Sequence, residues 1–243
     1  MPDSVATDAW DSRTRRLLGD EAVERLARAK VVVVGAGGVG GYAVETLVRS
    51  GVGHIVIIDA DNVAESNINR QLIALRSTVG EPKVSLFAQR CHDINPKVSV
   101  IAVKEFVTPE NAANLIGTDA DFVIDAIDTV APKMAVIMHC LANRIPVISS
   151  MGAGGRIDPT KIGYFDISET REDGLARAVR QRLKKAGIRK PLKVVASTEA
   201  PCRRAVIELE EQNKRSSYGT LMSIPSIFGI YLANYAIIKL TNG

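Results

Sequence analysis

Four consecutive valines run straight into Gly35-Ala36-Gly37-Gly38-Val39-Gly40, and few folds accommodate that junction. Val31–Val34 is an unalternating β-branched run, as expected of a strand covered on both faces. The glycines fit G-x-G-x-x-G. Gly35 permits a tight turn, Gly37 lets backbone approach a phosphate, and Gly40 allows close helix–strand packing. Gly38 opens a stretch of helical spacing that runs to Arg49, so a helix N-terminus, with its oriented N–H groups, faces the bound anion. Asp59 ends the next strand, His54–Ile58, where a carboxylate accepts ribose hydroxyls. A nicotinamide cofactor suits these features as well as ATP does.

Strands and helices then alternate. Arg13–Ala29, Pro82–Ile94, Pro109–Ile116 and Val130–Ala142 have helical spacing, while Val98–Val103, Phe122–Asp125 and Pro146–Ser150 read as strands. This predicts a Rossmann-like α/β fold, a mostly parallel sheet with helices on both faces. Beyond the glycine-rich Gly152–Pro159 the pattern changes. Ile162–Ile167, Leu192–Ala196 and Ala205–Leu209 read as strands, the last two with no helix between them, so the sheet is expected to continue into an antiparallel C-terminal half. Glu210–Gly219 is polar and reads as mobile. Ser223 is expected to cap a final apolar helix reaching Leu240, with Pro225 in its first turn. That helix contains Asn234 and is short for a membrane span, so it reads as a core helix. We expect one unit over residues 1–243, with a nucleotide-binding half (1–150) and a substrate-side half (151–243).

Composition narrows the setting. With 46% hydrophobic residues in 243, the chain can bury a large core. The start, Met1–Asp11, is polar and acidic and does not read as a signal peptide. Cys91, Cys140 and Cys202 lie far apart, which suits a reducing, cytoplasmic compartment. No C-x-x-C pair suggests structural zinc. The net charge of +4 is unevenly spread. Arg171–Lys193 carries Arg177, Arg180, Arg182, Lys184, Lys185, Arg189 and Lys190 between its ends, against Glu172 and Asp173. Such a run is either a solvated helix face or a footprint for a phosphate backbone, and charge does not choose between them.

Polar groups outside the glycine turn favour a triphosphate. Asp61, Asn67, Arg70 and Gln71 follow Asp59 closely; Lys83 opens the next helix; Asp128 follows the buried strand Phe122–Asp125, at the edge where ligands collect. Two cations and a carboxylate converging there suit Mg2+ and a polyphosphate. Singly, Arg70 reads equally as a surface residue, Lys83 as a solvated helix start and Asp128 as a helix cap. A dehydrogenase leaves all three without work.

These motifs resemble the ThiF/MoeB/HesA adenylating enzymes, relatives of ubiquitin-activating enzymes. The glycine turn, D-x-D-x-V-x-x-S-N-x-x-R-Q at Asp59–Gln71, G-x-x-K at Gly80–Lys83, Ile94-Asn95-Pro96 and D-x-x-D at Asp125–Asp128 match in order and spacing. The resemblance implies that Asp59 binds ribose and that Asn67, Arg70 and Lys83 contact ATP phosphates. Gly35, Gly37, Gly38, Gly40, Asp61 and Gln71 complete the nucleotide site, and Asp128 is the Mg2+-linked carboxylate. It also implies a homodimer in which Arg16 is inserted from the partner subunit. Gly152–Thr160, Ser197–Pro201 and Phe106–Asn111 look like the TcdA (CsdL) branch, which uses ATP to cyclise threonylcarbamoyladenosine on tRNA. A cysteine desulfurase or sulfur-relay partner is compatible with that branch. The nearest rival activates the C-terminus of a ubiquitin-like sulfur carrier; the zinc-binding cysteine pairs of those members are absent here. A non-catalytic tRNA-binding protein is a further alternative. Cys202 lies where relatives sometimes carry a thioester-forming thiol, but it reads more simply as an incidental loop cysteine; Cys91 and Cys140 read as core.

Overall fold

A computed structural model describes residues 9–188, 191–211 and 214–242. Two helices, α1 (Ser12–Leu18) and α2 (Asp20–Arg28), precede β1 (Lys30–Val34), α3 (Gly40–Arg49) and β2 (His54–Ile58). Next come α4 (Lys83–Ile94), β3 (Ser99–Val103), α5 (Ala112–Ile116), β4 (Phe122–Asp125), α6 (Val130–Asn143) and β5 (Val147–Ser150). The remainder is β6 (Ile162–Asp166), α7 (Gly174–Lys185), β7 (Lys193–Ser197), β8 (Val206–Glu211), β9 (Lys214–Tyr218) and α8 (Ser223–Thr241). The main sheet has seven strands in the order β3-β2-β1-β4-β5-β7-β6. All neighbours in it are parallel except the antiparallel pair β6–β7. The expected mostly parallel fold with antiparallel pairing in its C-terminal half is what forms.

The strand residues explain the layering. Along β1, Val31 and Val33 face a cluster with α2, α3, α4 and α8, whereas Val32 and Val34 face another with α5 and α6. Both sets are buried, so the run has no reason to alternate. α6 and α7 cover the far end of the second face, over Val194 and Ala196.

The last helix, α8, is long and apolar enough to cross a membrane by length and composition, yet 56% of the relevant window is buried in the fold. Phe228, Leu232, Ala233 and Ala236 are fully covered. It approaches α3 closely at Gly229, where a Cβ would sit 2.2 Å from the Val39 carbonyl oxygen. The core-helix expectation holds.

Four expectations need correction. The stretch Arg13–Ala29 is two helices, because Gly19 adopts φ 84° and breaks the turn. Ser223 does not cap α8: Met222 takes the cap position without a side-chain hydrogen bond, and Ser223 is the first helical residue. Glu210–Gly219, expected only to be polar and mobile, contains a strand: Lys214–Tyr218 pairs antiparallel with Val206–Glu211 in a separate two-stranded sheet. Pairing there is a backbone property that polar side chains do not forbid. The helix expected from Pro109 starts only at Ala112, after Thr108 and Asn111 bond each other's backbone N–H. The acidic residues 1–8, and Arg189 and Lys190 of the basic segment, lie outside the described residues.

The α3–α8 contact gives a direct test. Gly229→Ala is expected to destabilise the fold by about 1–3 kcal/mol through overpacking, read as a lower urea midpoint with an unchanged slope.

Candidate active site

Strands β1, β2, β4 and β5 run in one direction, so the loops that follow them gather at one edge of the sheet. After β1, Gly35 turns at φ 91°, a conformation that disfavours side chains. A Cβ on Gly40 would lie 1.7 Å from the Gly35 carbonyl oxygen, and one on Gly35 would meet the Ala126 carbonyl at 3.0 Å. The turn therefore presses against both α3 and the loop after β4, and only bare backbone fits. Its N–H groups and the N-terminus of α3 make an anion-binding edge.

Asp59, after β2, is mostly buried and braces this turn. Its Oδ2 accepts the Ala36 N–H at 2.7 Å and its Oδ1 the Asp61 N–H at 2.8 Å. Burial pushes the Asp59 carboxyl above its usual range, against the opposing pull of Lys83. Lys83 is 4% exposed, with Nζ 2.7 Å from Asp61 Oδ2 and 3.9 Å from Asp59 Oδ1. Arg70 donates to the Ser66 carbonyl at 2.8 Å and to Asn69 Oδ1 at 2.9 Å, and its Cγ lies 3.5 Å from where Gly38 would carry a Cβ. Gln71 is buried beneath the turn, with Nε2 3.7 Å from the corresponding position on Gly37. Its Oε1 has no hydrogen-bond partner among the described residues. Asn67 uses its Oδ1 on the Ala64 N–H at 3.1 Å, a local cap. Asp128 is exposed in the loop after β4.

Arg16 stands apart from this group. It is exposed on α1, which packs on α2, and no hydrogen bond or ion pair among the described residues joins it to the loop cluster. Two surface hollows of 310 and 300 Å³ open around Pro146, Val147 and Pro191, where β5 begins; no residue of the cluster lines them.

Sequence reasoning missed the charged frame behind the site. Lys133, on α6, is fully buried and donates to Asp125 Oδ2 at 2.5 Å, to Ser149 Oγ at 3.1 Å and to the Ser150 carbonyl at 2.9 Å. The other oxygen of Asp125 accepts the Ile127 N–H at 3.1 Å, which shapes the turn carrying Asp128. The available signal was a single lysine inside the apolar run Val130–Ala142. A second frame joins Gly152–Thr160 to Ser197–Pro201. Arg156 is 3% exposed and donates to the carbonyls of Gly152, Glu172 and Glu199 and to Asp173 Oδ2. Glu199 in turn accepts the N–H groups of Ile157 and Asp158. Asp173 caps α7 through the Ala176 N–H and holds the Gly152 N–H. On α7, Arg177, Arg182, Lys184 and Lys185 are exposed, while Arg180 is turned onto Thr170.

The thiols divide as expected. Burial pushes Cys91 and Cys140 up to about 12. Cys202 is exposed, and hydrogen bonds from the Arg204 backbone and side chain hold its thiol below the usual value.

A model of the ThiF family matches residues 11–242. The chain belongs to that family. It is 41% identical to the tRNA threonylcarbamoyladenosine dehydratase of Bacillus subtilis over 237 residues, covering 94% of this chain and 93% of that one. The fold matches the E. coli tRNA N6-threonylcarbamoyladenosine dehydratase TcdA in complex with ATP, with TM-score 0.88 and 40% identity, across 97% of this chain and 96% of that one. A sulfur carrier protein adenylyltransferase from Thermus thermophilus is 40% identical over 119 residues, 49% of this chain and 44% of its own length.

Lys133→Met leaves Asp125 buried and uncompensated, and is expected to cost roughly 3–5 kcal/mol. Adding Asp125→Asn should recover part of that loss in urea unfolding.

Proposed function

We propose that this ThiF-family chain is an ATP-dependent tRNA threonylcarbamoyladenosine dehydratase. The observation that carries this reading is the span of the likeness. The dehydratase relative is matched along 94% of this chain, whereas the sulfur-carrier adenylyltransferase is matched along 49%. The loop cluster supports the chemistry, because it gathers a backbone anion site, Arg70, Lys83 and Asp128 at one sheet edge.

In this reading a threonyl carboxylate oxygen attacks the α-phosphorus of ATP. A new P–O bond forms, the bridge to the β-phosphate breaks, and pyrophosphate departs. Arg70, Lys83 and the glycine-turn amides would stabilise the charge that develops. A nucleophile within the same modified base then attacks the activated carbonyl, closing a ring and expelling AMP. Its effective concentration is already high, so no enzyme thiol is needed. The oxygen lost from the substrate leaves in AMP, and the substrate change is loss of water.

The residues present fit the nucleotide and the metal in different ways. Gln71 lies with Nε2 beside Gly37, and its buried Oε1, which has no hydrogen-bond partner among the described residues, is an acceptor available to the nucleotide. No group of three or more His, Cys, Asp or Glu among the described residues forms a metal cage. Mg2+ commonly takes one or two carboxylates plus substrate phosphates, and Asp128 supplies a carboxylate of that kind. When bound, the metal neutralises phosphate charge.

We further propose that the two halves, 1–150 and 151–243, act as one unit in a homodimer that takes Arg16 from the partner subunit. Arg16 is exposed on α1, and its role across the dimer rests on the family resemblance. The free cysteines fit a cytoplasmic setting. A cysteine desulfurase remains a candidate partner on resemblance alone.

Arg70→Ala, Lys83→Ala and Asp128→Ala should each lower ATP–pyrophosphate exchange about a hundredfold or more, near 3 kcal/mol. Circular dichroism should stay close to the parent. Exchange at the parent rate in all three would overturn the assignment, as would AMP release that ignores whether the tRNA carries the modification. Mixing inactive Arg16→Ala and Lys83→Ala proteins should restore activity if Arg16 acts across the dimer, since a hybrid then retains one complete site. No recovery after verified subunit exchange removes that arrangement.

A further inference from the structure

We infer that Tyr218 is the stacking platform for the base of the substrate nucleoside; the inference rests on the dehydratase reading above. Tyr218 ends β9 and is 39% exposed. Its inner side lies on backbone. A Cβ on Gly154 would fall 2.6 Å from Tyr218 Cβ, and one on Gly155 would fall 3.1 Å from Tyr218 Cδ1. Two glycines thus let the ring lie flush against the loop after β5. The Gly155 N–H donates to the Gly219 carbonyl at 2.9 Å, which fixes the ring's backbone to that loop. Leu221 and Met222, exposed at 58% and 46%, follow in sequence. An exposed apolar group beside a charged site is a usual mark of ligand contact.

Two links tie this ring to the reaction centre. Asn69 Nδ2 donates to the Thr220 carbonyl at 3.0 Å, and Asn69 Oδ1 accepts from Arg70 at 2.9 Å. Thr220 Oγ1 also bonds the Tyr218 carbonyl at 3.0 Å. A continuous chain of bonds therefore runs from the Arg70 guanidinium to the backbone carbonyl of Tyr218. The substrate carboxylate that meets ATP hangs from the base by a short tether, so the base must rest close to Arg70.

The adenine of ATP does not compete for this place. Its ribose is expected at Asp59, after β2, on one side of the glycine turn. Tyr218 leans on the loop after β5, and β5 lies two strands from β1 on the other side. RNA bases splayed from single-stranded loops are commonly held on aromatic rings, and the stack needs only the ring's face.

The test is steady-state kinetics with ATP and tRNA carrying threonylcarbamoyladenosine, following AMP. Tyr218→Phe should keep KM for tRNA within about twofold of the parent, while Tyr218→Leu and Tyr218→Ala raise it about tenfold or more. KM for ATP should not move in any of them. Tyr218→Leu still covers the two glycines, so its urea midpoint should stay near the parent, which separates stacking from folding. The inference falls if Tyr218→Leu behaves like Tyr218→Phe, or if KM for ATP rises in step. A parent protein that releases no AMP with modified tRNA overturns both the dehydratase reading and this inference.

Discussion

Backbone pressed against backbone holds this edge of the molecule in place. The Gly35 carbonyl occupies the space a side chain at residue 40 would need, and the Ala126 carbonyl closes on Gly35 from the opposite side. These contacts join the ends of β1 and β4 to the start of α3 without flexible groups between them. The same economy recurs where α3 meets α8 at Gly229. An anion at the α3 N-terminus therefore meets amides whose positions are fixed by covalent geometry and packing, the condition for electrostatic stabilisation without reorganisation.

Much of this frame is legible along the chain, because buried parallel strands and glycine turns carry local signals. Val31–Val34 and residues 122–124 are apolar on both faces, and the glycine turn after β1 with the polar residues after β2 and β4 marks the candidate ligand edge without reference to distant partners. The framing ion pairs carry no such signal. Lys133 finds its carboxylate across a strand–helix junction, and Arg156 meets Asp173 only because two loops converge. Arg156 and the Glu199 carbonyl it holds are 43 residues apart. Gly19 hides in a stretch with helical spacing on both sides, so periodicity reads straight through the break. The strand β9 is missed for a related reason: the polar run Lys214–Tyr218 lacks the apolar alternation by which a half-buried strand announces itself.

The charged groups fall into two kinds with different duties. Lys133 and Asp125 are both fully covered, and each has further hydrogen bonds that complete it. Removing either partner strands a charge in a water-poor interior, so this pair is locked and shapes the Asp128 turn. Lys83 is nearly as covered, but its close partner Asp61 is 69% exposed on its side chain. Such a contact is screened by water and weak, so it holds the ammonium in place without binding it strongly. Asp59, at 3.9 Å, restrains the same ammonium from behind while its own oxygens stay committed to the Ala36 and Asp61 amides.

That difference has a mechanistic consequence. In the proposed reading, a triphosphate entering beside the glycine turn competes with Asp61 for Lys83 and with Asn69 and the Ser66 carbonyl for Arg70, all of them contacts near the surface. Exchanging them for phosphate oxygens gives up little, since solvent already weakens them and can take their place. The buried pairs Lys133–Asp125 and Arg156–Asp173 offer no such exchange and keep the surrounding loops in register. On that reading, binding redirects the cations while leaving the backbone cradle unmoved, so that one site can both grip a polyphosphate and release AMP.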